Sequence, residues 1–155
     1  MTTSRVPAAV EALLALCNAA SALDDVEVLD GPPTNDLTSL DRLHIGYQPG
    51  QDTAVELAQN FNGAGARTRD EDFSIRCWAE SRAGGVDMAA RRARVFAIVA
   101  AVETALRATD AATNAPTLSG TVLWSHLTTG DLAQEQTDDG AGAGLAFAVE
   151  CRARI

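Results

Sequence analysis

No lysine occurs among the 155 residues, and the chain has only one tyrosine, two histidines, three cysteines and five prolines. Each scarcity closes a route. Without lysine there is no Schiff-base nucleophile, and with one tyrosine and two histidines the means for general acid–base work are thin. Cys17, Cys77 and Cys151 form no C-x-x-C pair, and each falls on an apolar face, so buried free thiols in a reducing compartment are expected. His44 and His126 lie far apart and belong to no H-E-x-x-H or H-x-E pattern; a zinc site would have to be assembled from several strands, and ordinary hydrogen bonding is the expectation. No P-loop and no G-x-S-x-G elbow is present. Gly63-Ala64-Gly65-Ala66-Arg67-Thr68 begins like a dinucleotide loop but lacks the third glycine and leads into a strand. The run Gly140 to Gly144 fails the same test. Both read as flexible hairpin loops, because a phosphate cradle needs a helix N-terminus behind it. Arg69-Asp70-Glu71-Asp72 reads as a solvated turn at a strand entrance. Neither an enzyme nor a cofactor or metal protein is expected.

Long apolar runs are also missing: none reaches the roughly 18 residues that a membrane helix requires, so no span is expected. The first ten residues lack a basic region followed by an apolar block, since Pro7 and then Glu11 interrupt it, and a signal peptide is not expected.

What is present fits one domain, 1–155, able to bury a core without disulfides. Hydrophobic residues make up 46% of the chain, too many for a disordered one. All twelve basic residues are arginine, against twenty-one acids, for a formal charge of −9. The excess is uneven. Residues 1–60 hold nine acids and only Arg5 and Arg42, whereas residues 61–110 hold eight arginines against seven acids. Bulk attraction to nucleic acid is excluded, because such binding depends on basic groups that displace counterions from phosphates. Arginine's planar fork suits ion pairs at interfaces better than lysine does.

Apolar spacing sets the expected elements. Ser4, Pro7 and then Val10, Leu13, Leu14, Cys17 and Ala20 predict a helix over 5–22. A short strand is expected at Val26-Glu27-Val28, stopped by Asp30-Gly31-Pro32-Pro33. Leu43, Ile45 and Tyr47 alternate with Arg42, His44 and Gly46, which predicts a strand with one apolar face, followed by a turn at Gln48-Pro49-Gly50-Gln51. Residues 53–60 fit either a strand or a helical turn. Phe73, Ile75, Cys77 and Ala79 alternate with Ser74, Arg76, Trp78 and Glu80 as a strand. Asp87 opens a long helix over 86–109, whose Arg91, Arg92 and Arg94 sit where the helix dipole disfavours cations, so partners outside the helix are expected. Thr109 to Ser119 reads as a connector, Thr121 to Leu127 as a strand, Thr129 to Gly144 as a long acidic hairpin, and Leu145 to Ile155 as a closing strand. This order is α+β: a mainly antiparallel sheet with two amphipathic helices packed on one face and the other face free.

Pairing and packing are therefore the expected work of the chain. Trp78 and Arg76 lie on the face turned away from Phe73, Ile75 and Cys77, and Arg152 and Arg154 share one side of the last strand. Aromatic residues and arginine are enriched in interfaces. Arg76, Trp78, Arg152 and Arg154, with Asp138 and Asp139 of the acidic hairpin, are the candidate subunit-interface residues; the arginines would meet acids of an adjacent copy.

The N-terminal helix, Val28-Leu29-Asp30-Gly31-Pro32, Arg69-Asp70-Glu71-Asp72-Phe73-Ser74-Ile75-Arg76-Cys77, the helix ending Ala101-Val102-Glu103-Thr104-Ala105-Leu106-Arg107, Gly120-Thr121-Val122-Leu123-Trp124 and the alternating last strand together resemble the tail terminator proteins of long-tailed phages (the minor tail protein U-like family). The resemblance spans most of the chain and rests on structural motifs. It implies a structural virion subunit, a homo-hexameric ring at the head-proximal end of the tail, assembled in the host cytoplasm. Such a ring stops polymerisation of the tail tube protein, meets the neck or head-completion protein, and lets duplex DNA through without specific binding. The alternatives are another neck or tail component, whether head-completion or tube protein, and an unrelated intracellular α+β binding domain.

Overall fold

The computed structural model describes residues 2–34, 38–65 and 67–155. Helix α1 runs Val6–Ala19, strand β1 Glu27–Asp30, β2 Asp41–Ile45, β3 Val55–Phe61, β4 Arg69–Ala83, helix α2 Met88–Ala105, β5 Trp124–Thr137 and β6 Gly140–Arg154. Two helices and a six-stranded, mostly antiparallel sheet make the fold α+β, as the order of periodic segments implies.

The sheet order is β1-β2-β4-β6-β5, with β3 paired to β4 alone. Strand β4 is long enough to serve two neighbours on one edge: β3 pairs with Arg69 to Ile75, and β2 with Cys77 to Ser81. Its other edge pairs with β6 from Asp70↔Arg154 to Ala83↔Ala141. Only β1 and β2 are parallel.

Alternation along these strands settles which side chains meet the helices. Phe73, Ile75, Cys77 and Ala79 of β4 and Leu145, Phe147, Val149 and Cys151 of β6 are buried with Ala9, Leu13 and Cys17 of α1 and Val95, Ile98, Val99 and Val102 of α2. The four-residue spacing 9, 13, 17 and the three- and four-residue spacing 95, 98, 99, 102 each put one stripe toward the sheet. Both helices are shorter than their periodicity suggests. Past Ala19 the chain turns extended at Ala20 and makes a 3₁₀ turn over Ser21–Leu23, which carries Leu23 into the core. Ser4 accepts a hydrogen bond from the Val6 N–H at 3.0 Å, one residue before the N-cap position, Arg5. Asp87 caps α2, accepting from the Ala90 N–H at 3.0 Å.

Five expectations change. Arg69 to Asp72 is the start of β4, not a solvated turn, and Glu71 is fully buried. Of the stretch 53–60, left between strand and helical turn, residues from Val55 onward form strand β3. The segment Thr121 to Leu123 precedes β5, which begins at Trp124 and runs on to Thr137. The acidic hairpin is therefore a strand ladder, interrupted by a register shift between Thr129 and Leu132 and closed by a two-residue turn at Asp138 and Asp139, and β6 is held between β4 and β5 along it. The connector contains a 3₁₀ turn, Ala115–Thr117, and anchors itself through buried Leu118. Gly63 to Thr68 is bend and turn where described, and Ala66 within it lies outside the described residues.

Gly140 to Gly144 is the start of β6, not a flexible loop, and Gly144 has a packing reason to be glycine. A Cβ there would collide with the indole of Trp78, which lies across β6 from the neighbouring strand. At Gly140 the backbone φ is +133°, and a Cβ would run into the carbonyl of Ala83.

All three thiols are free and buried, as their positions on the apolar faces imply. Burial pushes Cys17 and Cys151 up to about 12 and raises Cys77 further. Because the thiolate is the reactive form, a disulfide reagent such as DTNB should leave all three unmodified in the native protein at pH 8 and titrate three on unfolding. Rapid reaction of any one before unfolding would contradict the packing described.

Candidate interaction surface

The helices cover one face of the sheet, and the other face carries the even-numbered side chains of β4 and β6. Register places them in cross-strand pairs: Asp70 beside Arg154, Asp72 beside Arg152, Ser74 beside Glu150. Both arginines bind two-pronged. Arg154 donates to the Asp70 carboxylate at 2.8 and 3.2 Å, and Arg152 to Asp72 at 2.7 and 2.8 Å. Ser74 donates to Glu150 at 3.0 Å. Arg76 reaches the other way, to Glu56 of β3 and to Gln51, both at 3.1 Å.

Hydrogen bonds from Arg154 and Arg152 hold the carboxyls of Asp70 and Asp72 below the usual carboxylate range, and the same bonds raise both arginines. Exposed pairs of this kind add little stability, because solvent and salt screen them. Their main effect is shape: the long side chains lie flat along the sheet.

Further along β4 the face changes character. Trp78 lies over Gly144 and Ala146, its indole N–H 3.4 Å from Glu80. Glu80 also meets Arg42 at 2.7 Å, His44 at 3.5 Å and Arg82 at 3.6 Å. Arg42, His44 and Glu80 are all buried. The polar half of the β2 alternation is thus a second buried layer. His44 Nδ1 lies 3.0 Å from the Gly31 carbonyl, and its ring is tilted against Tyr47 at 5.2 Å. Burial raises the Glu80 carboxyl, but the His44 hydrogen bond and the charges of Arg42 and Arg82 outweigh it and leave it lowered. An open depression of about 100 Å³ lies beside Trp78 and Arg82, and another of about 380 Å³ lies between Leu40, Arg82 and Asp139, over the small residues at the start of β6.

On the edge strand β5, Trp124 stays 40% exposed with His126 tilted against it at 5.2 Å. The histidines are placed separately, His44 on β2 and His126 on β5, and no group of three or more metal-binding side chains gathers among the described residues.

The candidate interface residues are therefore divided. Arg76, Trp78, Arg152 and Arg154 share the uncovered face, while Asp138 and Asp139 occupy the hairpin tip at the far end of β5 and β6. The three arginines, expected to seek acids of an adjacent copy, are paired within the chain. The first-half arginines of α2 find partners outside the helix: Arg94 binds Asp41 at 2.7 Å and Asp25 at 2.8 Å, Arg91 binds Ser81 at 2.8 Å, and Arg92 binds Gln134 at 2.7 Å. Sequence reading missed Glu71, which accepts from the Arg5 N–H and from Gln59, each at 2.8 Å, at the start of α1. A carboxylate there complements the positive end of the helix. Its signal, an acid at an odd-numbered position of an alternating strand, is visible only once β4 is extended back to Arg69. No family model matches the chain, and no curated protein matches it.

Proposed function

We propose that the protein is a ring-forming structural subunit of the tail-terminator kind. Six copies would close on the head-proximal end of a phage tail tube, stop its polymerisation and present a surface to the neck protein. The observation that carries this reading is the one-sided build of the subunit. Two helices cover one face of the sheet, and the opposite face is a flat, charge-paired surface bearing Trp78, with Trp124 on the edge strand. A subunit that must contact neighbours, tube and neck has use for such a face. The depressions at the start of β6 are open, unlike the enclosed, mostly apolar sites of small ligands.

Charge fits the passage of DNA. Arg42, Arg76, Arg82, Arg152 and Arg154 of the sheet are ion-paired within the chain, and six chains at −9 would carry about −54 in total, which discourages adhesion of a polyanion. The subunit would act without catalysis, through the geometry of its contacts in the tail of the virion.

Native mass measurement with negative-stain imaging tests the reading. A mass six times that of the 16.2 kDa chain, six-fold rings, and decoration of tail-tube ends are expected. Self-polymerisation into long tubes would make it a tube subunit. Small particles that never bind tube ends would overturn the phage assignment. In an infecting phage, deletion of the gene should give tails of uncontrolled length.

A further inference from the structure

Among the described residues, three strands leave one side unpaired in the sheet: β1 and β5 at the ends of the strand order, and β3, which pairs with β4 alone. Open edges invite pairing with another chain, and proteins guard them with short strands, charges, prolines or bulges. Strand β1 is four residues long and carries Glu27 and Asp30. Strand β5 has a register break between Thr129 and Leu132 and carries Asp131 and Glu135. Strand β3 is the least guarded of the three. It is a regular seven-residue strand without proline or arginine, and its one charge, Glu56, is held by Arg76 at 3.1 Å. It also displays Leu57, 49% exposed, and Phe61, 74% exposed, four residues apart and so on one face.

We infer that β3 pairs antiparallel with β3 of a second copy, about a two-fold axis at Gln59. That register sets Leu57 directly opposite the partner's Phe61, and Phe61 opposite the partner's Leu57, so each large exposed apolar side chain of the strand covers the other. Ala58 then faces the partner's Asn60, and no like charges confront each other. Charge selects this occupant over the other edges. Two chains of −9 repel, and pairing β3 with β1 or β5 of another copy would bring Glu27 and Asp30, or Asp131 and Glu135, beside Glu56. Pairing β3 with itself joins the least charged edges, and the contact closes without leaving a β3 edge free.

The contact is small. A seven-residue strand pair with two apolar cross-pairs falls below the roughly 1,200 Å² of a standard stable interface, so the association is reversible and concentration-dependent. It is separate from the ring contacts proposed above, because ring contacts are head-to-tail and use two different surfaces, whereas this one is a single patch meeting itself.

Sedimentation velocity from about 10 μM to 1 mM reads the outcome. The species present at low concentration, whether monomer or ring, should give way to one of twice its mass. Phe61→Lys should weaken this step at least about tenfold, while Phe96→Lys, at an exposed position on α2, should leave it unchanged. Register is read by cross-linking. A mixture of Ala58→Cys and Asn60→Cys chains should form a disulfide-linked heterodimer under mild oxidation, and neither chain alone should do so; the native cysteines are buried and do not compete. No doubling of mass at about 1 mM would overturn the inference. So would unaltered association of Phe61→Lys, or cross-linking of Ala58→Cys alone as efficient as that of the mixture.

Discussion

Glu80→Leu should destabilise the fold by about 3–5 kcal/mol, and adding Arg42→Met in the same chain should recover most of the loss. Arg42 is 2% exposed, and its contact with Glu80 at 2.7 Å is its ion pair; among the described residues its Nε and Nη1 have no hydrogen-bond partner. Removing the carboxylate leaves a buried guanidinium without a counter-charge. The desolvation cost already met in folding then has nothing opposite it. Removing both ends replaces a buried pair with apolar volume, which is commonly near neutral. Chemical denaturation of wild type, both single variants and the double variant gives the coupling directly. A Glu80→Leu loss below about 1 kcal/mol, or a double variant no better than the worse single one, would mean that the network is solvated.

Glu71→Ala should cost about 3 kcal/mol, and Glu71→Gln about half of that. This carboxylate is fully buried, accepts from the Arg5 N–H and from Gln59, and sits where the free N–H groups of α1 concentrate positive potential. Glutamine keeps the volume and one acceptor but loses the charge; alanine loses everything and leaves the helix start without its partner. Amide exchange should show the damage locally, with protection lost first in the opening turn of α1, while the β4–β6 ladder keeps its protection until global unfolding. Uniform loss across both regions would place Glu71 in the core rather than at a helix start.

The same residue predicts a pH response. Burial raises the Glu71 carboxyl, but hydrogen bonds from Ser4, the Arg5 N–H and Gln59 outweigh it, so its folded value lies below the unfolded one. A depressed carboxyl contributes stability that is complete above the unfolded value, about 4.3, and is lost as pH falls through the folded value. Glu80, Asp70 and Asp72 are shifted the same way. Stability should hold from neutral pH to about 5 and then fall, and Glu71→Gln should flatten the acid limb of the curve.

Period-two and period-three-to-four patterns made the core legible. Phe73 to Ala79 and Leu145 to Ile155 could be strands of one buried face, and Val95, Val99 and Val102 one helix stripe, because each pattern is local and depends on no partner. The three cysteines followed for the same reason. Expectations failed where a residue's state depends on what lies across from it. Arg42 and His44 read only as the polar half of β2, because nothing local reveals that both faces of the strand are buried. Gly140 to Gly144 read as a loop because the side chain that gives Gly144 its purpose, Trp78, is 66 residues away. Arg152 and Arg154 looked free for another subunit because their acids are 80 and 84 positions upstream.

The sequence by itself determined the class of fold, the faces that must be buried, and a net charge that opposes bulk attraction to nucleic acid, since these depend on composition and on spacing within a segment. Only the tertiary structure decided that Arg76, Arg152 and Arg154 are paired in chain, that Glu71 and Glu80 are buried anchors, and that β3 is the least guarded edge. Those properties belong to strand order and register, which bring together residues that the chain keeps far apart.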